Sequence, residues 1–285
     1  MASGNPLPLE LVEIVLEYFF GLYPTINPPD TTLFNCSLVC RSWHPIAQSI
    51  RFSELVLPYS YGRWPPIVSA LKRNPTLFQY VRSVLITNVR SLEVAEILSL
   101  LPNLRRVSIV HRMLSRKVAG GRADELMNVA MNLTSLHLGR VLDFPLEVFY
   151  LCSALQDLKI RNTTFLHPIA GAYGGLGLNQ PRPRLKSLYI GVQNAARDIE
   201  ILNWFCQPQC AFDLSEFISF HCVDHTEEIE THELVKRFVQ LVSPTIQDLT
   251  MQLPAERSFS PCFSDYFSAD MRRTRRCCLD FSCIA

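Results

Sequence analysis

A short pattern, apolar-x-x-apolar-x-apolar, returns along most of this chain and constrains its fold more than any other feature. It occurs at Phe52-Leu55-Leu57, Val81-Val84-Ile86, Leu104-Val107-Ile109, Leu133-Leu136-Leu138, Leu155-Leu158-Ile160, Leu185-Leu188-Ile190, Phe217-Phe220-Cys222 and Ile246-Leu249-Met251. Successive first positions are 29, 23, 29, 22, 30, 32 and 29 residues apart. An apolar motif returning at such a period marks a repeat architecture, in which each unit covers the apolar face of the next. Within each pattern the last two apolar positions alternate with a variable one, which reads as a short strand with its apolar side chains on one face.

Helical periodicity fills the intervals: 67–73, 92–101 after the N-cap candidate Ser91, 124–131, 145–152, 195–206 and 227–241. Alternating strand and helix predicts an α/β fold with a parallel sheet. The strand positions facing away from the core form columns. One reads Leu85, Ser108, His137, Lys159, Tyr189, His221 and Thr250. Its flanking columns read Ser83, Arg106, Ser135, Asp157, Ser187, Ser219 and Asp248, then Thr87, Val110, Gly139, Arg161, Gly191, Val223 and Gln252. Tyr and Arg are favoured anchors in protein recognition, so Arg106, His137, Lys159, Arg161 and Tyr189 are the candidate target-binding residues. Lys159, Arg161, Arg182, Arg184 and Lys186 concentrate positive charge suited to an acidic segment. The plainer alternative is a solvated sheet face with charges on a long loop.

The first fifty residues form a different unit. They hold one basic residue, Arg41, and four acidic ones, Glu10, Glu13, Glu17 and Asp30, whereas the remainder is net positive. Pro8 and Glu10 suit the first turn of a helix that continues through Leu11, Ile14, Val15 and Tyr18. Pro24, Pro28 and Pro29 interrupt it, and Asp30-Thr31-Thr32 offers a fresh N-cap before Leu33, Cys36, Leu38, Cys40 and Trp43. A segment this short cannot bury all these apolar side chains by itself, which leaves surface for a partner.

LPLELVEIVLEYF followed by CSLVCRSW resembles the F-box. The resemblance covers roughly residues 5–51 and implies a three-helix module that docks on the adaptor subunit of SCF-type ubiquitin ligases, and through it on cullin. On matching positions the adaptor-binding residues are Leu7, Pro8, Leu11, Ile14, Leu33, Leu38, Val39, Cys40 and Trp43. The connection FFGLYPTINPPD is longer than the family's usual turn. Residues 52–253 resemble degenerate leucine-rich repeats, which implies a curved solenoid with a parallel concave sheet. The usual asparagine ladder is absent, its positions being Val89, Arg112, Val141, Thr163, Gln193 and His225. The combination is similar to F-box-like proteins abundant in fungi. The expected function is recognition of a target protein for ubiquitin transfer, the alternative being a repeat scaffold unconnected to ubiquitin.

Other classes find little support in the residues. With 48% hydrophobic and 19% charged residues and a net charge of +1, the chain reads as globular, with no global electrostatic pull towards nucleic acid or an acidic membrane. No export signal or membrane span is legible, so a cytoplasmic or nuclear protein with buried thiols is expected. The glycine-rich GAYGGLGLNQPRPR lacks the spacing of a phosphate loop, and no hydrolase, zinc-protease or dinucleotide motif occurs, so neither catalysis nor a cofactor is expected. Cys206, Cys210, His221 and His225 resemble a zinc site only distantly, and thiols packed in a core are the preferred reading. Residues 254–285 carry four cysteines and the RRTRR cluster with no helix or strand period. A disordered tail, the product of truncation or mis-splicing, is the expectation there, the alternative being that the RRTRR cluster binds nucleic acid or serves as an import signal.

Overall fold

A computed structural model describes residues 8, 10–12, 14–15, 35, 38, 41–57, 66–87, 97–113, 129–166, 182–192, 195–208, 210–224, 229–252 and 276–280. Each apolar pattern ends in a strand. The strands are β1 (Glu54–Leu57), β2 (Ser83–Thr87), β3 (Arg106–Met113), β4 (Ser135–Leu142), β6 (Asp157–Arg161), β8 (Ser187–Val192), β9 (Ser219–Asp224) and β10 (Asp248–Gln252). With β11 (Arg276–Asp280) they form one nine-stranded sheet in which spatial order follows chain order. Every pairing is parallel. A second, two-stranded sheet pairs β5 (Phe144–Pro145) with β7 (Phe165–Leu166).

Parallel neighbours need a crossover, and the connections supply it with short helices: α1 (Trp43–Arg51) precedes β1, then come α2 (Pro66–Arg73), α3 (Glu147–Leu151), α4 (Ala195–Phe205) and α5 (Ile229–Val242). A 3₁₀ turn spans Pro75–Tyr80. Sequential strand order with crossovers of one hand keeps the connections on one side of the sheet. The burial pattern agrees, since β2 and β10 each alternate half-buried and fully buried side chains. In α5, Val235, Phe238, Val239 and Val242 are buried at helical spacing while Glu230, Glu233 and Gln240 lie outside.

Between sheet and helices the core is continuous, running from Leu55 and Leu57 to Leu249 and Met251. Its later half is aromatic. Phe144, Phe149 and Phe165 meet Trp204, Phe205 and Phe212, and Phe238 of α5 touches Phe205, Phe217 and Phe220, with centroids 4.9 to 6.2 Å apart. Burying each such side chain stabilises the fold by about 1.5–3 kcal/mol relative to exposure. Burial pushes the thiols of Cys152 and Cys210 up to about 12, so both stay protonated and behave as small apolar groups.

A backbone device ties the repeats together at the strand entrances. The carbonyls of Ser53, Arg82, Arg105, Thr134, Gln156, Lys186 and Ile218 each accept two N–H bonds from the next unit, at 2.8 to 3.1 Å. After β6 the buried Thr163 donates its hydroxyl to the Arg161 carbonyl at 3.0 Å and the Leu138 carbonyl at 3.4 Å.

One expectation is corrected and another refined. A strand, β11, occupies part of the segment read as lacking any, pairing in parallel with β10 so that Cys277 and Leu279 fall opposite Leu249 and Met251. Its apolar pattern fails only at the first position, Thr274, which hid it. The unpaired edge of β10 supplies the template that such a segment needs. Val223, placed in an outward column, keeps that register between Gly191 and Gln252 but is 7% exposed. No described helix is long and apolar enough to cross a membrane.

Candidate functional site

The register reproduces the three outward columns residue for residue. Leu85, Ser108, His137, Lys159, Tyr189, His221 and Thr250 are consecutive Cα partners, as are Arg106, Ser135, Asp157, Ser187, Ser219 and Asp248, and Val110, Gly139, Arg161, Gly191, Val223 and Gln252. Strands about 4.8 Å apart thus carry a line of polar and aromatic side chains across the open face.

Tyr189 stands between Lys159 and His221 on this line. Arg161 donates to the Tyr189 hydroxyl through Nε at 3.1 Å and Nη2 at 2.7 Å. Its guanidinium carbon stands 5.0 Å from the ring centroid, and Lys159 Nζ stands 4.5 Å from it. On the other side His221 stacks on the ring at 4.6 Å and 24°. Cation–π contacts of this kind contribute about 0.5–1 kcal/mol each at exposed sites. Two cations sharing one ring repel each other, and among the described residues no carboxylate lies within ion-pairing distance of either. Burial, then the charge of Arg161, holds the Lys159 ammonium below its usual range.

Glycines make room for this arrangement. Arg161 sits in register between Gly139 and Gly191. A Cβ at Gly191 would come within 3.3 Å of Arg161 Cγ and 3.6 Å of Tyr189 Cε1, so the missing side chain is what lets the Arg161 stem lie there. At Gly139 a Cβ would meet His137 Nε2 and Val110 Cγ2, both at 3.6 Å. His137 Nε2 is buried without a hydrogen-bond partner. Burial, then Lys159 and Arg161, lowers the His137 pKa to about 4, so its imidazole is neutral at pH 7. His221 is lowered by the same three causes.

The five candidate target-binding residues therefore do not form one group. His137, Lys159, Arg161 and Tyr189 come together, with His221 joining them. Arg106 lies in the neighbouring column, where it and Lys186 offset the burial that raises the Asp157 carboxyl. The expected basic concentration also divides: Arg184 pairs with Glu216 and, with Arg182 and Asp213, lines a groove of about 870 Å³ near Phe205 and Phe212. Cys210 is a core residue, whereas His221 lies on Tyr189 across the sheet, and His225 is outside the described residues.

Of the adaptor-binding set, Leu7, Leu33, Val39 and Cys40 lie outside the described residues. Leu11 and Ile14 are helical and 49% and 60% exposed, and Leu38 is helical and 66% exposed. Pro8 is exposed and Trp43, at the start of α1, is half-buried. Val15 adds a further exposed apolar side chain, while Val12 on the same turn is buried.

Sequence reasoning placed Arg161 and Tyr189 in adjacent columns but missed their hydrogen bonds. The legible signal was a diagonal pair, Arg161 standing opposite Gly191 with Tyr189 two residues earlier on that strand. No family model, no curated protein and no solved structure matches this chain.

Proposed function

We propose that this chain is the target-recognition subunit of an SCF-type ubiquitin ligase, an F-box joined to a curved leucine-rich-repeat solenoid. The observation that carries the reading is the exposure of Leu11, Ile14 and Leu38 at the positions where the F-box resemblance places adaptor contacts. Apolar side chains held outward on neighbouring helical residues gain stability when a partner covers them. The sheet face that carries Tyr189 is the target-binding surface. The adaptor and cullin bring the transfer machinery and this face brings the target, so transfer is accelerated by proximity and this chain contributes no catalytic side chain.

The test is binding of purified adaptor to the full chain and to a Leu11→Ala, Leu38→Ala double variant, with circular dichroism confirming that both are folded. Submicromolar binding by the first and its loss in the second are expected. A folded chain that ignores the adaptor would leave the scaffold reading unconnected to ubiquitin.

A further inference from the structure

The open face carries two cations that nothing on the described surface neutralises. Lys159 and Arg161 stand over one ring, Tyr189, and each lowers the proton affinity of the histidines around it. Arg161 is fixed by giving Nε–H and one Nη2–H to Tyr189 Oη, which leaves three of its five N–H donors for a ligand. In register with Arg161 on β4, Gly139 has no side chain, and the buried, unpartnered Nε2 of His137 borders that position.

We propose that Lys159 and Arg161 form an anion site beside the Tyr189 ring, with His137 at its margin on the neighbouring strand, that holds an Asp or Glu carboxylate of an acidic segment of the target. Charge complementarity selects the carboxylate. Two oxygens accept from a guanidinium edge and an ammonium together, and the bound charge removes the Lys159–Arg161 repulsion. The line from His137 to His221 crosses four strands, or about 14 Å, which an extended peptide covers in about four to five residues. The flat Tyr189–His221 stack then lies under the side chain next to the carboxylate. This inference rests on the reading of the sheet face as the target-binding surface.

Fluorescence anisotropy tests it with the full chain and three labelled peptides of one length, rich in Glu, in Gln, or in phosphoserine. The Glu peptide is expected to bind, more weakly as salt rises, and the Gln peptide at least tenfold more weakly. Arg161→Gln with Lys159→Gln is expected to lose at least tenfold, and Arg161→Lys, which keeps the charge but not the fork, several-fold. Lys72→Gln with Arg73→Gln removes the same charge from α2 and is expected to leave affinity within twofold.

Equal binding of the Glu and Gln peptides, or an equal loss from the α2 variant, overturns the site. Binding of the phosphoserine peptide alone overturns the assignment to a carboxylate. Addition of the Glu peptide is also expected to shift the His137 ring resonances, and unmoved resonances at saturation would remove His137 from the site. Adaptor binding without any Glu-peptide binding would sink this inference and leave the ligase reading standing. Glu-peptide binding without adaptor binding would do the reverse.

Discussion

Arg161 and Tyr189 are locked across adjacent strands: one phenolic oxygen accepts both Nε–H and Nη2–H, at 3.1 and 2.7 Å, while the guanidinium carbon lies 5.0 Å from the ring centroid. A long cationic side chain otherwise loses rotamer freedom when a ligand fixes it, at a cost of about 0.5–1.5 kcal/mol. Here the fold has already fixed it. The open face is therefore preorganised at the point where its charge is greatest.

That lock depends on the absence of a side chain at Gly191. In Gly191→Ala the new Cβ comes 3.3 Å from Arg161 Cγ, so the stem must give by a few tenths of an ångström. Acidic-peptide binding is expected to weaken three- to tenfold. Stability should change by less than about 1 kcal/mol, because alanine suits a strand better than glycine does. Urea denaturation beside peptide anisotropy separates the two effects, and a large loss of stability would make Gly191 a packing residue instead.

His137 gives stability a pH dependence of known sign. Its pKa falls from 6.5 to about 4 on folding, chiefly through burial and then through Lys159 and Arg161. Between those values the unfolded chain takes up a proton that the folded chain does not, so stability holds above about 6.5 and is lost as pH falls from there to about 4. His221 shifts in the same direction, whereas the raised Asp157 carboxyl works in the opposite sense at lower pH. The comparison is therefore with His137→Asn, whose urea midpoint should fall less steeply between pH 6.5 and 4.5. Parallel slopes would count against a buried neutral imidazole.

The repeating pattern made the sheet legible. Wherever apolar residues alternate at a fixed offset, register follows from which face is buried, and the columns through His137, Lys159 and Tyr189 are legible in the spacing alone. What the pattern does not encode stayed hidden. The carbonyl ladder from Ser53 to Ile218 uses backbone groups that every residue carries. β11 lacks the leading apolar residue at Thr274. The division of the basic residues follows from Arg184 finding Glu216, a pairing between a strand entrance and the turn before β9, 32 residues apart. Arg161 and Tyr189 were visible as neighbours, but their hydrogen bonds required side-chain directions that spacing alone does not give.

In the core, Phe238 of α5 joins the last repeats by touching Phe205, Phe217 and Phe220. Phe238→Ala is expected to cost about 3–5 kcal/mol, as a buried aromatic replaced by a cavity does. Leu241, three residues on and 52% exposed, should tolerate alanine within about 0.5 kcal/mol. Chemical denaturation of the two variants measures the contrast, and similar losses would place α5 differently on the sheet.

Finally, β11 is the edge strand on the β10 side of the sheet, with Arg276 and Asp280 placing a charge at each of its ends, which discourages pairing with another chain. Pairing from Asp248↔Arg276 to Gln252↔Asp280 occupies backbone donors and acceptors that β10 otherwise presents at an open edge. An uncovered parallel edge is a template for another chain. Removing residues 276–285 should therefore promote self-association, visible as concentration-dependent mass in light scattering, with little change in the folding of β1 to β9. A truncated chain that stays monomeric at high concentration would show that β11 is dispensable as an edge cover, and adding Arg276–Asp280 back as a peptide should reverse the association if the cover acts through pairing with β10.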